Sequence, residues 1–153
     1  MDWIIQGILS FLAAAAFGVI FNSPRGTLLH CGFVGVTGWL VYYILTETGH
    51  GDVVIASFAG SFAVSLVAHW QARRFRMPMI IFSVAGIIPL VPGGMAYNTM
   101  RKFVESDYLM GIAYGSKTMM ISGAIAMGLV FGEVIFQTII RIIKERRAKQ
   151  LQP

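Results

Sequence analysis

The sequence predicts an all-α, polytopic integral membrane protein with about five transmembrane helices, the fourth broken at a Pro/Gly element. Three observations carry this. Of 153 residues, 56% are hydrophobic and 12% charged, and a soluble domain carries about twice that charged share. The mean hydropathy is +0.71, and a soluble fold this small exposes too much of its surface to hide so much apolar side chain. The apolar residues also fall into runs of about 20, the length that crosses a bilayer core. An ordinary soluble enzyme and a disordered tail are excluded. The length and the lack of an internal repeat or linker predict one transmembrane domain over 1–153.

The first span is expected at 3–21, interrupted only by Gln6 and Ser10. Asp2, not a basic cluster, precedes it, so it is not expected to be a cleaved signal. Asn22-Ser23-Pro24-Arg25-Gly26 is turn chemistry and ends it. The second span is expected at 28–46 and the third at 53–72, separated by the acidic loop Glu47 to Asp52. A basic turn at Arg73-Arg74-Phe75-Arg76-Met77-Pro78 leads to a fourth span at 79–98, broken at Pro89-Leu90-Val91-Pro92-Gly93-Gly94. The stretch from Met95 to Lys117 has the spacing of an amphipathic helix, with Arg101, Lys102, Glu105 and Asp107 on the wet side. It is open whether this helix continues into the fifth span, expected at 118–140, before a basic tail at 141–153.

Lys and Arg in short loops set orientation. With five spans, Arg101, Lys102 and Lys117 lie on one side. Arg25, Arg73, Arg74, Arg76, Arg141, Lys144, Arg146, Arg147 and Lys149 lie on the other. Nine against three places the C-terminus in the cytoplasm and the N-terminus outside, across the cytoplasmic (inner) membrane. The net charge of +5 is thus a topology signal, with no basic face for nucleic acid.

The fourth span carries the most chemistry. Pro89 and Pro92 cannot both sit in a regular helix interior, because each removes a backbone donor and clashes with the preceding turn. Gly93-Gly94 adds freedom and lets another backbone approach. Carbonyls and amides freed within a membrane must be satisfied by protein, water or ligand. Transporters use such half-helix ends near the midplane to bind substrate, and helix N-termini favour carboxylates. The bland alternative is a proline kink or a loop at the membrane edge.

The segments Phe21-Asn22-x-Pro24-Arg25, Gly35-x-x-Gly38, and Ile88-Pro89-Leu90-Val91-Pro92-Gly93 with Ala96-Tyr97-x-x-Met100 resemble the threonine/serine exporter family. The likeness is to short members that match the C-terminal half of full-length exporters, and it covers nearly the whole chain. The proline-glycine element with its Tyr is its specific part; the second glycine, Gly94, is a small departure. The resemblance implies a subunit of a secondary transporter exporting a small carboxylate-bearing metabolite, either threonine/serine or a dicarboxylate such as succinate. It also implies a separate membrane subunit resembling the N-terminal half. From the residues themselves, the candidate substrate-binding set is Pro89, Pro92, Gly93, Gly94, Tyr97 and Asn98, with Tyr97 and Asn98 reading equally as caps of the freed backbone.

Among other residues, Glu133 is an ionisable group inside the fifth span, which is costly. It is a candidate for proton coupling or the translocation path, or else pairs with Arg141 or a partner helix, or reaches the cytoplasmic interface. Ser83, Lys117 and Ser122 are further path candidates; Ser83, Ser116, Thr118 and Ser122 are able to donate across helices, and Lys117 to snorkel. His69 reads as a proton relay or, with Trp70 and Arg73, as an interfacial anchor. His30 and Cys31 have no matching cluster, so no metal and no cofactor is expected. Gly32, Gly35, Gly38, Gly60, Gly111, Gly115, Gly128 and Gly132 form small-residue stripes for close helix packing, at least one of them expected to meet another subunit. No nucleophile–base pair or phosphate loop is present, so the chain is not read as an enzyme. Three functions compete: exporter subunit, homo-oligomeric channel-like pore, and purely structural subunit of a membrane complex.

Overall fold

The computed structural model describes residues 2–47 and 52–150; the expected loop residues Thr48 to Gly51 and the last three residues of the tail lie outside them. Every regular element among the described residues is helical: α1 Asp2–Ile20, α2 Leu28–Glu47, α3 Val53–Phe75, α4 Met79–Ile87, α5 Gly93–Val104 and α6 Tyr108–Gln150. Single 3-10 turns at Arg25–Thr27 and Ile88–Leu90 precede α2 and follow α4. Four helices are long and apolar enough to cross a membrane, and α4 with α5 forms a fifth candidate, bent by 54° at the break.

Turn chemistry sets the ends. Asn22 takes a left-handed conformation beyond α1, and Arg76 does the same as the C-cap of α3. The third helix runs three residues past the expected Ala72, since Arg73 and Arg74 suit the negative end of the helix dipole.

The helices α1, α2, α3 and α6 lie side by side in that order, and α4 covers α1 to α3. Small residues allow the close approach. A Cβ on Gly32 or Gly35 of α2 would strike Phe11 or Ala14 of α1, and one on Gly38 would strike Val64 of α3. On α6, Gly128 rests on Ser61 and the Phe58 carbonyl, and Gly132 on Ser65. Ser65 is the serine that donates across helices, its Oγ to the Leu129 carbonyl at 3.0 Å. Ser83, Ser116 and Thr118 instead donate to carbonyls of their own helices, so these three are corrected as cross-helix donors, and Ser122 is exposed on α6. In a helix, a hydroxyl always has the carbonyl one turn back within reach. The small-residue stripes at 32–38, 60, 111–115 and 128–132 are thus used inside the chain.

This register fixes direction. Ser61, Ser65 and His69 meet Gly128, Gly132 and Phe136 in the same order, so α3 and α6 run parallel. α4 runs against α3, with Phe82 near Phe75, Gly86 near Val64 and Leu90 near Gly60. The α4–α5 pair therefore carries the chain from the Phe75 end of the bundle to the Val53 end.

α5 then folds back on the start of α6, with Phe103 over Gly111 and Thr99 over Gly115. The question of one long helix is answered by a break. Glu105 caps α5, Ser106 adopts a positive φ of 63°, and Asp107 accepts the Met110 amide with its side chain. At 43 residues, α6 is about 64 Å long, twice a bilayer core. Its middle lies along α3, while its first three turns and α5 project beyond the Val53 end as a hairpin.

Candidate functional site

The break between α4 and α5 is built by packing as well as by proline. Ile88–Leu90 forms the 3-10 turn with Pro89 inside it. Val91 is extended (ψ 128°), as expected of a residue before proline. Pro92 then caps α5. Leu90, 6% exposed, drops its side chain between Gly38 of α2 and Gly60 of α3. A Cβ on Gly60 would lie 2.9 Å from the Gly38 carbonyl oxygen and 3.2 Å from Leu90. Pro89 lies against Gly35. The glycines of α2 and α3 thus make the room in which the span breaks.

A cavity of about 310 Å³ opens beside the break, lined by Pro89 to Met95, Asn98, Trp39 and Tyr42 of α2, Val53 and Ser57 of α3, and Ile121 of α6. Its size suits a small metabolite. It reaches from the first turns of α3, at Val53 and Ser57, to Trp39 and Leu90 at mid-length of α2.

The chemistry of the wall is specific. Gly93 N–H donates to the Val91 carbonyl at 2.8 Å and Ala96 N–H to the Pro92 carbonyl at 3.0 Å. The amides of Gly94 and Met95 find no acceptor among the described residues. They form the donor end of α5, where the helix dipole favours negative charge. A Cβ on Gly93 or Gly94 would meet nothing within 4 Å. These glycines are therefore not there for close backbone approach, as the sequence suggested; their missing side chains leave the amides uncovered. The Ser57 hydroxyl is engaged with the Val53 carbonyl at 2.7 Å. No charged side chain lines the cavity.

Of the residues singled out from sequence, Pro89, Pro92, Gly93, Gly94 and Asn98 come together here. Tyr97 does not: it is 68% exposed on the outer face of α5. Ser83 is buried in α4 away from the cavity, and Ser122 and Lys117 are exposed on α6. Glu133 is exposed on α6 and accepts a hydrogen bond from Gln137 Nε2 at 3.0 Å. Its proposed partner Arg141 pairs with Glu145 instead, one turn on, the shorter reach along a helix. His69 Nδ1 lies 3.0 Å from the Ser65 carbonyl, and Arg73 stacks over Phe136 with Trp70 exposed beside them, an anchor-like cluster. Sequence reading missed Trp39, Tyr42, Val53, Ser57 and Ile121. The aromatic pair at one-turn spacing in α2 was the available signal.

At the hairpin tip, Arg101 and Lys102 both bond Glu105, at 2.7 and 2.9 Å. Their hydrogen bonds, that from Lys102 foremost, lower the Glu105 carboxyl below its ordinary value.

A model of the family described as "Threonine/Serine exporter, ThrE" matches residues 6–135. An uncharacterised protein of Haemophilus influenzae is 26% identical over 147 residues, covering 88% of this chain and 49% of its own length. A threonine/serine exporter of Corynebacterium glutamicum is 31% identical over 124 residues, covering 81% of this chain and 25% of its own length. The chain thus spans half or less of these relatives. No solved structure matches it. A family match over most of the chain, with its Pro/Gly break lining a cavity between apolar helices, has one conclusion: this chain belongs to the threonine/serine exporter family, a family of membrane transporters and not of enzymes.

Proposed function

We propose that the chain is one membrane subunit of a secondary transporter that exports a small zwitterionic amino acid of the threonine/serine class. The cavity at the break would be part of the path. The observation that carries this is a wall with free helix-end amides and aromatic rings but no charged side chain. A carboxylate is matched by the Gly94 and Met95 amides. An ammonium is matched by the Tyr42 ring and the Asn98 carbonyl oxygen, while Trp39, stacked on Tyr43, closes the wall. A dicarboxylate would bring two negative charges to one helix end with no cationic side chain to meet them, so the zwitterion fits better.

The pairing of short members with an N-terminal-half protein, which the resemblance implies, supports a second membrane subunit supplying the rest of the exporter. Secondary transporters place the site between two rocking halves. The nine-to-three basic asymmetry supports a cytoplasmic C-terminus in the cytoplasmic membrane, with the cavity and hairpin toward the outside. Replacing Pro92-Gly93 by Ala-Ala should straighten the break and abolish threonine efflux from cells while leaving membrane insertion intact. Wild-type efflux from an inserted, folded double variant would refute the reading.

A further inference from the structure

The geometry points to the outer face of α6 as the docking surface for a transmembrane helix of a second, non-identical chain. This deepens the two-subunit reading and rests on it.

Beyond its start, α6 packs chiefly on α3, and its opposite face is open. Along that face run Gly123, Val130, Val134, Gln137 and Arg141, all exposed, with nothing within 4 Å of a Cβ on Gly123. Lipid would satisfy an apolar face, but this one is not wholly apolar. Glu133 borders it, between Gly132 on Ser65 and Phe136 on His69. That sets the carboxyl about two and a half turns inside the level where α3 ends. Among the described residues its partner is Gln137, a neutral amide on the same face. Ionisable groups at such depth face protein or water rather than hydrocarbon.

Charge complementarity selects the occupant. A parallel second copy would set Glu133 against Glu133 and Lys144 against Lys144, like against like. An antiparallel copy would need half the chains inserted upside down, against the basic asymmetry. A different helix avoids both conflicts. It would offer a hydrogen-bond donor, neutral or basic, at the depth of Glu133. About two turns further on it would carry a carboxylate opposite Lys144, beside the Arg141–Glu145 pair. Its small or β-branched side chains would pack over Gly123 and Val130.

The test is photo-crosslinking in the native membrane from a benzophenone amino acid at Val130 or Val134 of the full chain. Ile8 and Leu12, on the exposed face of α1, serve as comparison positions. The expected result is a discrete adduct from both α6 positions. Mass spectrometry should place it in a transmembrane segment of another chain with a carboxylate near its end. Arg141→Glu with Lys144→Glu should reduce that adduct at least tenfold, and replacing the partner's carboxylate by Lys should restore it. Adducts only to lipid or to a second copy from α6, or an adduct indifferent to charge reversal, would overturn the assignment. If α1 still captures another chain, the two-subunit reading survives and only this interface falls. If no position captures one, both fall.

Discussion

Gly94→Leu separates the cavity from the fold. A Cβ at Gly94 meets nothing within 4 Å, so the substitution starts in open space, and leucine is no worse a helix former than glycine. The leucine instead occupies part of a cavity of about 310 Å³ and covers the Gly94 and Met95 amides. A hydrogen bond to a charged group contributes about 1.5–3 kcal/mol. Losing one such bond to the substrate carboxylate should weaken binding about 10- to 100-fold. The assay is threonine efflux from loaded proteoliposomes holding the chain with its partner, across a substrate series, alongside thermal unfolding in detergent. The half-saturating concentration should rise by that factor with the melting temperature unchanged. An unchanged half-saturating concentration in a folded variant would refute the idea that these amides meet substrate.

Two further outcomes follow from the packing and the hairpin. Gly60→Ala forces a methyl to within 2.9 Å of the Gly38 carbonyl oxygen and against Leu90. Overpacking of this kind costs about 1–3 kcal/mol, so Gly60→Ala should lower the melting temperature by several degrees, and a variant as stable as wild type would contradict the wedge. At the hairpin tip, the Glu105 carboxyl is held below its ordinary value by Lys102 and Arg101. A depressed folded value means this contribution is present above the unfolded value near 4.5 and is lost as pH falls through the lower folded one. The melting-temperature difference between wild type and Glu105→Gln should therefore shrink on acidification below about pH 4.5; a gap that widens would reverse the sign. The group lies at the surface, so the effect should be small and salt-sensitive.

The spans were legible because apolar runs and their breaks are local properties. The turn at Asn22 to Gly26, the start of α3 at Val53 and the break at Pro89 to Gly94 are all written in residues that fix backbone conformation. The expected fifth span starting at 118 matches where α6 begins to lie along α3, but hydropathy alone does not reveal that the same helix starts at Tyr108. The turn that separates it from α5 depends on Ser106 in a left-handed conformation, which its side chain does not advertise. Half of the cavity was equally hidden. Pro92, Gly94 and Asn98 announce themselves as irregular or polar, whereas Trp39, Val53 and Ile121 are ordinary apolar residues until tertiary packing brings four helices to one point. The glycine pairs were readable as packing faces, but which helix each would meet was not. Gly38 turns to α3 and Gly35, one turn away, to α1.

The account stands on the cavity at the break being where substrate sits. Asn98→Cys in a Cys31→Ala background places a thiol in its wall, and the rate of modification by a small water-soluble maleimide can be followed in membranes with the partner present. Threonine, added up to saturating concentrations, should slow that reaction, with half-protection at the concentration that half-saturates efflux, while succinate should not. A rate indifferent to threonine, in a variant that still exports it, would contradict the site.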